Sequence, residues 1–258
     1  LSSPQTVPAA LRSVVSAHGE KLALVDQNLR LTWGALDARV SATARGLRGL
    51  GIAPGDRVAL WAPNSAEWVI SQLAIASIGA TLVPLNTRYR GHEVIDVLAR
   101  THARCLILAD GFLGRDQLGE LNAASHEFAA HRETASNQTD GDAAAFAGLP
   151  ALRTVVRIAE EPREGCVSFT ELPAHGADVP VNEIEALQAA VTGDDIADIL
   201  FTSGTTGRSK GVLSAHSQTI AAARAWSGIA QIRAEDRYLI ISPFFHSYGY
   251  KVGIITTM

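Results

Sequence analysis

Across residues 23–108, short apolar runs alternate with segments of helical period, and that alternation leaves few folds open. Residues 35–50 carry Leu36, Val40, Ala44 and Leu47 on one helical face, and Gly51 follows as a stop. Pro54-Gly55-Asp56 marks a turn, after which residues 57–61 read as a short buried strand. Asn64 or Ser65 caps the next helix, which holds Trp68, Val69, Leu73, Ile75 and Ala76 and ends near Gly79. Residues 81–85 form a second strand, whose Pro84 predicts an end or an edge. A helix over residues 91–100 and a strand over 105–108 complete the series. Residues 23–32 predict a hairpin turning at Gln27-Asn28. Strand and helix in such short units imply an α/β fold, with a mainly parallel sheet covered by helices.

The pattern fades over residues 122–150, a stretch rich in Ala, Ser, Asn, Asp and Gly that reads as an insertion or loosely ordered linker. It separates a first α/β part, residues 1–121, from a second, residues 151–258. His126 and His131 fall in the insertion and read as solvated loop histidines, so no metal site is expected. The Asn137-Gln138-Thr139 sequon reads as accidental. With 47% apolar and 19% charged residues, the 258-residue chain has the material for a buried core. The net charge of −4 is spread without a basic stripe, which argues against nucleic acid as partner. Two cysteines, Cys105 and Cys166, lie far apart and fit a reducing, cytoplasmic setting. No apolar run approaches the roughly 20 residues needed to span a bilayer. The start at Leu1 without a methionine reads as trimmed or processed.

The most informative stretch runs from Ile199 to Val212. A buried strand end at residues 199–201 leads into Thr202-Ser203-Gly204-Thr205-Thr206-Gly207-Arg208-Ser209-Lys210. The Ala-rich run at residues 220–225 then reads as a helix. Glycines let backbone N–H groups turn toward a ligand without Cβ clashes. Hydroxyls of Thr202, Ser203, Thr205 and Thr206 are donors for phosphate oxygens, and Lys210 adds a mobile positive charge. Such donor nests bind anions. The string is not a Walker A loop, because Lys210 stands three residues after Gly207 and Gly211 follows it. An ordinary Ser/Thr/Gly surface turn is the bland alternative, and it accounts poorly for the preceding strand and the terminal lysine.

Residues 201–212 resemble the signature loop of adenylate-forming enzymes: acyl-CoA synthetases, coumarate ligases, luciferases and peptide-synthetase adenylation domains. Ser209 stands where that family commonly has proline, and His216 follows as the family's histidine does. Pro243-Phe244-Phe245-His246-Ser247-Tyr248-Gly249 resembles the family's Pro-Leu-Phe-His…Gly motif. Residues 31–36, 55–60 and 79–89 look like acyl-CoA synthetase segments. The resemblance implies the layered α/β N-terminal domain of these enzymes. It also implies phosphate contacts from Thr202, Ser203, Gly204, Thr205, Thr206, Gly207 and Lys210. Lys210 and His246 become the expected catalytic residues, and Phe245, His246 and Gly249 the expected border of the acid pocket. The implied reaction joins a carboxylic acid to ATP as an acyl-adenylate, with Mg²⁺ accompanying the nucleotide, and coenzyme A then displaces AMP.

Family members are about twice as long and carry later segments with the ribose-binding aspartate, a hinge and a C-terminal domain with a catalytic lysine. The chain is therefore expected to be an N-terminal fragment lacking the C-terminal domain and inactive by itself. A homodimer is among the expectations. Two alternatives stand beside the acyl-CoA synthetase reading: a peptide-synthetase adenylation domain, and a non-catalytic nucleotide-binding or interaction module.

Overall fold

The computed structural model describes residues 4–133, 145–159, 161–202 and 209–258. The chain opens on α1 (Val7–His18), where the Thr6 hydroxyl accepts from the Ala9 N–H and Pro8 occupies the first turn. A hairpin of β1 (Leu22–Asp26) and β2 (Leu29–Thr32) follows, antiparallel as expected, with Gln27 left-handed at its turn. Thr32 then caps α2 (Trp33–Gly49). Next come β3 (Arg57–Trp61), α3 (Ala66–Ser77), β4 (Thr81–Pro84), α4 (Gly91–Thr101) and β5 (Cys105–Leu108). The cap of α3 is Ser65, whose hydroxyl accepts from the Trp68 N–H.

Beyond β5 the chain holds α5 (Gln117–Glu133), β6 (Thr154–Arg157), β7 (Val167–Ser168), α6 (Leu172–His175) and α7 (Val181–Ala190). It continues through β8 (Ile196–Thr202), β9 (Lys210–Ala215) and α8 (His216–Ala230), and reaches a wide helical turn at Tyr248–Ile254. Among the described residues the main sheet has seven strands in the order β7-β6-β5-β3-β4-β8-β9. Every pairing in it is parallel except β8 with β9.

Alternate side chains along the central strands feed two cores. Val58 and Leu60 of β3, Leu82 of β4 and Ile107 of β5 face α1, α2, α3 and α8. Ala59, Trp61, Val83 and Leu106 face the opposite layer of α4 and α5. Burying both faces explains why these strands are apolar throughout rather than alternating. The result is a sheet sandwiched between helical layers, the class that the sequence pattern predicts.

Two readings change. The fading pattern from residue 122 conceals most of α5, which runs to Glu133. That helix buries Leu118, Leu121 and Ser125 against α4, and its many alanines blur the periodicity from which a helix is recognised. The sequon at residues 137–139 lies outside the described residues. Pro84 marks the end of its strand, but β4 is interior, between β3 and β8. Proline is tolerated there because it is the last residue of the ladder.

Candidate active site

A cleft of about 1010 Å³ opens at the carboxyl ends of β4 and β8. Open α/β sheets place their ligand crevices on this side, where the loops leave the parallel strands. Asn86 and Tyr89 follow β4 into one wall, and His92, Glu93 and Asp96 come from α4. Thr202, Ser209 and the segment Phe245-His246-Ser247 form the facing border. Burial raises the Tyr89 phenol above its ordinary value, and the carboxylates of Glu93 and Asp96 add to the effect.

Thr202 and Lys210 are partners at the last rung of the β8–β9 ladder, where the Thr202 hydroxyl lies 3.5 Å from the Lys210 carbonyl. The predicted phosphate loop therefore joins two antiparallel strands, and α8 begins only after β9. Ser203, Gly204, Thr205, Thr206 and Gly207 lie outside the described residues. Both ends of the string are anchored, and Thr202 and Ser209 border the cleft. Lys210 is exposed and is not among the bordering residues.

Phe245 and His246 border the cleft. Their segment is clamped by Asn64, whose amide donates to the Ser242 carbonyl at 2.9 Å and accepts from the Phe244 N–H at 2.8 Å. The Phe244 ring lies 5.3 Å from that of Trp68, so this aromatic belongs to the core. Gly249 does not border the cleft. It lets two backbones meet, since a Cβ there would stand 2.2 Å from the Pro243 carbonyl oxygen. Tyr248 turns to Trp226, with ring centroids 5.4 Å apart.

His216 is buried, and its Nδ1 accepts from the Val7 N–H at 3.3 Å, tying the first turn of α1 to the start of α8. Desolvation lowers its pKa to about 4, so the ring is neutral and structural. His126 and His131 lie on α5, and among the described residues no three His, Cys, Asp or Glu side chains form a group that could hold a metal.

Beneath the cleft lies a polar network that sequence reasoning missed. Lys251 Nζ sits 3.0 Å from Asp198 Oδ1 and donates to Ser214 Oγ at 2.7 Å. The Thr219 hydroxyl donates to Asp198 Oδ2 at 2.9 Å. Burial pushes the Asp198 carboxyl above its ordinary value, against the pull of Lys251 and the hydroxyls. One signal was available: an aspartate inside an otherwise apolar strand requires a partner.

The fold and the cleft together define an α/β domain with a candidate ligand site at the strand carboxyl ends. Residues 11–258 match the family described as AMP-binding enzyme, and the chain belongs to that family. A Rhodococcus jostii protein is 41% identical over 99% of this chain and 46% of its own length. A Mycobacterium tuberculosis protein is 42% identical over 98% of this chain and 45% of its own length. Both are named as ligases joining CoA to a propanoyl group on a methyl-dioxo-octahydro-indenyl ring. The crystal structure of the anthranilate CoA ligase AuaEII with anthranoyl-AMP superposes with a TM-score of 0.75 at 25% identity. That match covers 99% of this chain and 44% of the ligase. The chain thus spans about half the length of the curated relatives it matches.

Proposed function

We propose that this chain is the N-terminal, phosphate- and acid-binding part of an ATP-dependent, AMP-forming acyl-CoA ligase. The observation that carries the reading is a juxtaposition. The two ends of the Gly/Ser/Thr string, at Thr202 and Ser209, share one cleft with Phe245 and His246. Polyphosphate would be held by the hydroxyls and N–H groups of residues 202–209, and the acid would lie along the 245–247 segment. Mg²⁺ enters with ATP as the counter-ion of its phosphates, and coenzyme A acts as the second acceptor. Adenylation needs charge neutralised on the departing pyrophosphate and the carboxylate aligned with the α-phosphate. Lys210 follows the string directly and supplies the mobile cation.

The curated relatives named above are CoA ligases, which supports this reading over a peptide-synthetase domain or a non-catalytic module. Their common name directs the acid class toward a propanoate side chain on an oxygenated fused ring. Two free cysteines fit the reducing cytoplasm, and among the described residues no helix is long and apolar enough to cross a membrane. Light scattering of the purified protein tests the homodimer. The deciding experiment is ATP–pyrophosphate exchange by the full-length ligase with a panel of acids, in the native form and as Lys210→Ala. Acid-dependent exchange, lowered on the order of 100-fold by the substitution, supports the assignment. An unchanged rate in the variant removes the role given to Lys210, and no exchange with any acid removes the reading.

A further inference from the structure

Lys251 is a cation in the cleft wall to which the reading above gives no part. It follows His246 on the turn Tyr248–Ile254, is 8% exposed, and borders the cleft together with Ser214. An ammonium carries three N–H donors. Among the described residues it donates to Ser214 Oγ at 2.7 Å and lies 3.0 Å from Asp198 Oδ1 as an ion pair, which leaves donor capacity on a side chain that borders the cleft. A role confined to holding the fold is a poor account of this arrangement, because well-packed apolar residues replace buried ion pairs at little or no loss of stability.

The partner's chemistry follows from the charge. Asp198 already balances the ammonium. A second anion at this point would find no uncompensated positive charge on Lys251. A neutral acceptor, such as a ketone or hydroxyl oxygen, takes the spare N–H without disturbing the pair. We propose that Lys251 is a specificity-determining residue. It donates this N–H to a neutral oxygen on the body of the acid, so that the cleft selects oxygenated acids over their hydrocarbon analogues. The proposal rests on the acyl-CoA ligase reading and deepens it.

Initial rates of adenylate formation by the full-length ligase test it, with two acids compared. One is the dioxo ring propanoate proposed above, and the other is its analogue with both ketones replaced by methylenes. The native protein is expected to favour the dioxo acid by at least about tenfold in kcat/KM, as a site built around a hydrogen bond does. Lys251→Met should remove most of that preference by lowering kcat/KM far more for the dioxo acid than for its methylene analogue. Lys251→Gln, which keeps an N–H donor, should restore part of the preference. Equal use of the two acids by the native protein overturns the proposal, and so does a parallel loss on both in Lys251→Met. Should Lys251→Met fail to fold, the native ratio and the Gln variant decide alone. Activity with neither these acids nor any other overturns the ligase reading itself, an outcome distinct from activity without discrimination.

Discussion

Protonating His216 would place a charge against the Val7 N–H inside the core. Its folded-state pKa is about 4, against 6.5 for the free side chain. Because the folded value is the lower one, the unfolded chain binds the extra proton between these limits. Stability is therefore full above pH ~6.5 and falls as the pH drops toward ~4, by up to about 3 kcal/mol. Urea midpoints across that range check the sign, and His216→Gln should flatten the slope. A second expectation concerns Asn64. Replacing it with Ala removes both hydrogen bonds to the 242–244 segment, at a cost of about 1–2 kcal/mol, measurable as a lower urea midpoint and weaker adenylation. Thr202, Phe245 and His246 were recognisable in the sequence as candidate site residues because each lies within a contiguous motif. The clamp was not, since Asn64 and Phe244 are 180 positions apart. Local chemistry made Asn64 a candidate cap, and only tertiary contact assigns the cap to Ser65 and the clamp to Asn64.

At the scale of elements, α4 and α5 approach so closely that a Cβ on Gly91 would stand 2.3 Å from the Glu120 carbonyl oxygen. Gly91→Ala is expected to force the helices apart and to cost about 1–3 kcal/mol, as overpacking does. Equilibrium unfolding of the variant checks the magnitude, and a stability equal to that of the native chain would mean that α5 can yield. The capped helices α2 and α3 were readable because their signals are local. The helix α5 was not, because its seat is a glycine on another helix and its own sequence is mostly alanine and polar residues. The antiparallel pairing of β9 with β8 was equally hidden. Residues 211–213 carry no mark that distinguishes a returning strand from the lead into a helix, and the pairing with β8 decides it.

For the whole molecule, the cleft joins residues that follow β4, such as Asn86 and Glu93, to residues more than a hundred positions later, such as Thr202 and His246. The chain of residues 1–258, purified by itself, is expected to give no pyrophosphate exchange near the rate of a full-length ligase, because it spans about half the length of the curated relatives it matches. Exchange at a comparable rate would refute this. By itself the sequence determined the α/β class and the order of most strands and helices, and it marked residues 202–210 as the candidate anion-binding segment. Those properties come from short-range periodicity, backbone freedom and side-chain type. Tertiary structure decided the antiparallel return of β9, the clamp by Asn64, the structural use of His216 and the pairing of Lys251 with Asp198. Each depends on which distant groups share a low-dielectric interior, where a polar atom must find a partner, and no local pattern says which partner it will be.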